Sequence, residues 1–109
     1  MEISDKEKTM IEAGKHRAII RKEGVKERIG DVIFDINGII YIIKGKHHWT
    51  LRRINSQRGT IDFGCKTAAQ FRLMYNMVYG QYFGKSKELY WLITVKKDKV
   101  QKTLGVFSR

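Results

Sequence analysis

The sequence predicts an α+β fold: a small, strongly twisted sheet or mixed, partly closed barrel with two or three helices at its rim. Three observations carry that expectation. Two apolar runs, residues 32–36 (VIFDI) and 39–43 (IIYII), are separated only by Asn37-Gly38, the pair best suited to the positive φ angles of a two-residue hairpin turn. Ser4-x-x-Glu7 and Thr67-x-x-Gln70 are capping-box signatures that start helices. A late run, residues 90–95 (YWLITV), is dense in the β-branched and aromatic residues that strands favour. With 109 residues the chain is long enough for one core and too short for two, so residues 1–109 form a single domain.

Taken in order, a helix begins at Ser4 and Gly14 is placed to end it in a left-handed cap. Residues 18–20 form a short strand, and the charged residues 23–28, with Gly24, form a loop. Gly30-Asp31 turns into the hairpin, whose nearly continuous apolar pattern indicates strands covered on both faces. Residues 44–48 (KGKHH) read as a basic loop. A third strand is expected over residues 49–54 (WTLRRI), where Arg52 and Arg53 would point to opposite faces. Residues 55–59 (NSQRG) read as a loop by composition, and residues 60–63 as a brief strand. Behind Thr67, apolar residues at helical spacing (Ala68, Phe71, Met74 or Tyr75, Val78 or Tyr79) predict a helix over about 68–79, with Gly80 and Gly84 as stop signals. The basic tail, about 97–109, either adds a short strand over 104–107 or stays mobile.

Charge is the strongest functional signal. Lys and Arg number 22 against 11 acidic residues, a formal charge of +11. Such an excess repels itself in the compact state and points to a polyanionic partner. Cys65 is the only cysteine, which excludes an internal disulfide and a thiolate-rich zinc site; its expected role is that of a small buried hydrophobe. His47 and His48 are consecutive and His16 is the only other histidine, so neither a metal nor another cofactor is expected. The N-terminus, MEISDKEK, lacks an apolar signal core, and no apolar run approaches the roughly 20 residues of a membrane span. A cytoplasmic protein without a membrane partner is the expectation.

From Gly14 onward the chain resembles a known family. Gly14 and Arg21 stand at the two ends of a G-x-K-x-x-E-x-R pattern, and Gly30-Asp31 precedes the next strand. In this the sequence is similar to ASCH domains of the PUA-like superfamily over roughly residues 4–95. The resemblance implies a PUA-like barrel and interaction with RNA. Some ASCH relatives are hydrolases of RNA or modified nucleosides that use a Lys, a Thr and a Glu. Here His16 occupies the pattern's Lys position beside Lys15, Ile19 replaces the Glu, and Arg17-Ala18 stands where the Thr is sought. These departures bear on catalysis more than on binding.

The residues and the resemblance together lead to an RNA-binding domain. Its cleft is expected between residues 14–22 and the arm 44–53, with Lys15, Arg17, Arg21, Lys22, Lys46, His47, Arg52 and Arg53 meeting phosphates. Arg does so with a planar fork and Lys as a point charge. Trp49 is the expected base platform, unless it serves in the core. RNA is the expected partner, with DNA as the alternative polyanion. The competing class is a small hydrolase acting on RNA or a modified nucleoside, with Lys15 and His16 as the catalytic candidates. Asp31 and Asp35 are expected to cap turns rather than act as acids or bases.

Overall fold

A computed structural model describes residues 1–98; the expectations for residues 104–107 and most of the basic tail lie outside them. Helix α1 (Asp5–Glu12) is followed by strands β1 (Ala18–Arg21), β2 (Val32–Ile36) and β3 (Ile39–Thr50). Helices α2 (Leu51–Phe63) and α3 (Ala68–Val78) come next, and strand β4 (Leu89–Lys97) closes the order. The strands form one antiparallel sheet in the order β1-β4-β3-β2, curled into a half-barrel.

The local signals act as the physics of caps and turns requires. Asn37 (φ 53°) and Gly38 (φ 81°) make the hairpin turn, and the Asp35 carboxylate accepts a hydrogen bond from the Gly38 N–H at 2.8 Å. Asp31 likewise accepts from the Arg28 N–H at 2.8 Å, so both carboxylates cap turns. In α1 the Ser4 and Glu7 side chains close a reciprocal capping box, and Thr67 caps α3 by accepting from the Gln70 N–H.

The region after the hairpin differs from the expectation. Residues 44–48 are not a loop: β3 continues through them to Thr50. Nor do residues 49–54 form a third strand, 55–59 a loop, or 60–63 a strand, because the chain from Leu51 to Phe63 is the helix α2. The Thr50 hydroxyl accepts from the Arg53 N–H and starts it, and Gly64 ends it in the left-handed region at φ 63°. Between these caps Leu51 and Ile54, three apart on one face, are fully buried, each contributing about 1.5–3 kcal/mol of apolar burial. Gly59, a residue that reads as a loop former, is buried within this helix.

A bulge at Lys44 divides β3. Ile43 lies opposite Val95 and Gly45 opposite Thr94, leaving Lys44 as the extra residue. A Cβ at Gly45 would lie 3.0 Å from the Thr94 Oγ1, so a larger residue there would have to push that side chain aside. Before the bulge, Tyr41 and Ile43 face the same side as Val95; after it, His48 lies opposite Trp91 and Trp49 opposite Tyr90.

The sheet separates two cores. On one face, Ala18, Ile20, Tyr90 and Leu92 pack under Leu51, Ile54 and Phe63 of α2 and Phe71, Met74 and Tyr75 of α3, with Cys65 buried among them. On the other, Ile19, Ile93, Val95, Tyr41 and Ile43 meet Phe34, Ile36 and Ile11 of α1. The alternation of residues 18–20 between the two faces is that of a strand buried on both sides. The β2–β3 hairpin is not covered so fully: Val32 of β2 and Ile39 of β3 stay 54% and 38% exposed. Glu7, 2% exposed, ties α1 to this framework. It receives both Arg21 guanidinium nitrogens at 2.7 and 2.8 Å and the Tyr79 hydroxyl at 2.6 Å.

Candidate nucleic-acid interface

The register fixes where each cation lies. Arg21 sits opposite Trp91 and Ala18 opposite Thr94, while β3 flanks the other side of β4. In the sheet β4 runs between the segments 14–22 and 44–53, so they do not form one continuous cleft and meet only at the Val95 end, where Arg17 and Lys44 line the same cavity. Arg17 and Arg21, four strand residues apart, are separated by about 13 Å along the sheet. Lys22, His48 and Trp49 gather at the Trp91 end of β4. Lys15, His16 and Arg17 gather at the Val95 end.

At the Trp91 end the arm carries aromatic and cationic side chains on both faces of β3. On the helix-covered side, His47 tilts against Trp49 with centroids 4.8 Å apart, and the Arg53 guanidinium lies over the Trp49 ring at 4.1 Å. That distance gives a cation–π contact and leaves Arg53 exposed. On the other side His48 stacks on Trp91 at 4.3 Å with the planes 5° apart, and the Lys46 ammonium lies 5.4 Å from the Trp91 centroid. Trp49 also packs, partly buried, against the core under α2 and α3, which is the core role the sequence left open.

Arg52 and Arg53 do not point to opposite faces of a strand; both are exposed in the first turn of α2. The N-terminal end of a helix favours anions, yet this turn holds two arginines and no acidic residue. The arrangement costs stability unless an external anion sits there. The wider surroundings share the imbalance: residues 36–87 contain nine Lys and Arg against one acidic residue, Asp62.

Several expected phosphate binders are committed within the protein. The Arg21 guanidinium is held by Glu7 and by the Glu2 and Ile20 carbonyls. The Lys46 ammonium donates to the Val25 and Glu27 carbonyls at 3.3 and 3.0 Å, pinning the loop before the hairpin. Lys22 pairs with Glu88 at 3.1 Å on the surface, a contact that raises the lysine's pKa and that a phosphate can displace at little cost. Arg17, Arg52, Arg53 and Lys15 make no ion pair among the described residues. His48 lies in the arm expected to bind, but Trp91 was not among the expected binding residues. The signal for it is register, which sequence spacing does not carry across a bulge.

The catalytic candidates are placed apart in character. Lys15 is exposed, whereas His16 is 2% exposed and stands edge-on to Phe63 at 5.1 Å. Burial lowers its pKa to about 4, with Glu7 acting in the opposite sense and Lys15 in the same sense. At neutral pH its imidazole is therefore uncharged. Cys65 is buried and its pKa raised by burial; its thiol donates to the Phe63 carbonyl at 3.4 Å, an unactivated environment.

Among the described residues there is no group of three or more His, Cys, Asp or Glu side chains that could hold a metal ion. No described helix is long and apolar enough to cross a membrane. Compared with protein-family models, with curated proteins and with solved structures, the chain matches none of them.

Proposed function

We propose that the protein binds single-stranded RNA along the β3–α2 junction, and that its half-barrel is a PUA-like domain. The observation that carries this reading is the first turn of α2. Arg52 and Arg53 stand there without a carboxylate, beside a Trp49 ring already stacked by Arg53 at 4.1 Å. Phosphates take the place of the missing acidic residues, releasing counterions from the RNA as they do so. Exposed bases extend the two stacked series, His47–Trp49–Arg53 and His48–Trp91, since every base offers a π-face. RNA rather than duplex DNA follows from the Gly14–Arg21 pattern and from the stacking surface, which a fully paired duplex cannot use.

Both tryptophans of the chain lie in this region, so intrinsic fluorescence reports binding directly. Titration with a short single-stranded RNA is expected to quench it, and duplex DNA of equal length to quench it less. Replacing Arg52 and Arg53 together by Ser is expected to lower affinity at least tenfold and to reduce the salt dependence by roughly one phosphate per arginine. The charge-matched Lys66→Ser/Arg72→Ser protein serves as the control. Equal losses in the two variants would reduce the interaction to bulk charge and overturn the assignment. Cleaved RNA on a denaturing gel would move the reading to the hydrolase.

A further inference from the structure

A second basic site lies at the Val95 end of the sheet. There a cavity of about 440 Å³ is lined by Arg17, Lys44, Arg58, Lys96 and Lys97, with His16 in its wall. Its one carboxylate, Asp62, is already held by Arg58 through two hydrogen bonds of 2.7 and 3.2 Å. The other four cations make no ion pair among the described residues. Like charges converging on one cavity repel each other, and the field they sum to attracts anions. The bulge at Lys44 and the end of β4 bring them together from separate strands.

His16 supplies an independent observation. Both of its ring nitrogens are buried without a hydrogen-bond partner among the described residues, although an unsatisfied buried polar group costs about 1–3 kcal/mol. The uncharged ring offers one N–H donor and one acceptor. Ile11, Tyr41 and Val95 add apolar surface to the same cavity.

We propose that this cavity binds a phosphomonoester of mononucleotide size, its phosphate among Arg17, Lys44, Lys96 and Lys97 and His16 hydrogen-bonded to the ligand. The volume falls in the range of about 300–1,000 Å³ typical of small-ligand sites. A phosphomonoester carries a charge of about −1.5 to −2 at neutral pH, which suits several converging cations better than a single carboxylate does. The ligand is either a free nucleotide or the phosphorylated end of an RNA strand. The site stands whether or not the β3–α2 junction binds RNA.

The test is calorimetry on the full chain at pH 7 with adenosine monophosphate, adenosine, and two six-nucleotide RNAs that differ only in a 5′ phosphate. The His16 imidazole nitrogen resonances are followed in parallel by NMR. The monophosphate is expected to bind at least tenfold more tightly than adenosine and to shift the His16 resonances. Lys44→Ala/Lys96→Ala, which alters two exposed side chains, is expected to weaken this binding at least tenfold, and Lys66→Ser/Arg72→Ser, outside the cavity lining, to leave it unchanged. A preference for the 5′-phosphorylated RNA supports the strand end as source, and tight binding of the monophosphate alone supports a free nucleotide. Equal affinity for the monophosphate and adenosine would overturn the proposal. So would unmoved His16 resonances at saturation, or full affinity in the Lys44/Lys96 variant.

Discussion

His16 makes this domain sensitive to mild acid, and the size of the effect follows from its burial. An unfolded chain protonates the imidazole at its ordinary value of 6.5, whereas the folded protein resists protonation until about pH 4. Between those values the unfolded state binds more protons, so stability falls as pH falls and the loss is complete below about pH 4. Integrated from pH 7.5 to 5.0, the loss is about 2 kcal/mol, or a drop in Tm of about 8–16 °C for a domain of this size. Urea unfolding followed by tryptophan fluorescence at the two pH values measures it. His16→Leu removes the titrating group from the same apolar surroundings, so the variant is expected to lose about 2 kcal/mol less than the natural protein over that interval. If both proteins lose the same stability, the imidazole is not held neutral by burial and the reasoning fails.

Other perturbations follow from the framework. Arg21→Ala leaves the Glu7 carboxylate buried with one partner fewer and is expected to cost about 3 kcal/mol or more, seen as a lowered urea midpoint rather than as a specific loss of RNA affinity. Burial alone would raise the pKa of Glu7, but hydrogen bonds from Arg21, Tyr79 and the Ser4 N–H outweigh it and hold the value below the ordinary one. Its contribution to stability is therefore present above the unfolded value of 4.5 and lost as pH falls through the lower folded value, which acid titration of Arg21→Ala is expected to blunt. Ile54→Ala empties a fully buried position between α2 and the sheet and is expected to cost about 2–5 kcal/mol in the same assay. Gly64→Ala forces a Cβ into the left-handed region 3.2 Å from the Lys15 carbonyl oxygen and is expected to cost about 1–2 kcal/mol.

What the sequence made legible was local. The Asn37-Gly38 turn, the capping box at Ser4, the N-cap at Thr67 and the β-rich run up to Val95 each depend on a few neighbouring residues, and each forms where the chain predicts, although at Thr67 the Gln70 side chain accepts from the Lys66 N–H instead of closing the box. Helix α2 was hidden because its stability is tertiary. Its middle, Asn55 to Gly59, has the composition of a loop, and Gly59 is buried only once α2 is packed in the fold. Signals for the helix were present in Thr50, in the Arg58–Asp62 pair at i,i+4 and in Gly64, but no single one outweighs the composition. For the site, the arm's aromatic and basic character was readable, whereas its geometry was not. Sheet order places β4 between the two basic segments, and no spacing along the chain states that order. Arg21 illustrates the limit: its type suits phosphate, and its partner, Glu7, lies fourteen residues earlier.

The single extra residue at Lys44 has a consequence for how this chain tolerates change in length. Odd-numbered side chains of β3 face Val95 before the bulge, and even-numbered ones share that side after it, so the strand carries two reading frames joined at one position. Deleting one residue near Lys44 would merge the frames and send His47 and Trp49 to the face now held by His48, or Tyr41 and Ile43 out of their core. Substitutions along the arm change one contact at a time. A one-residue deletion or insertion there would exchange whole faces at once.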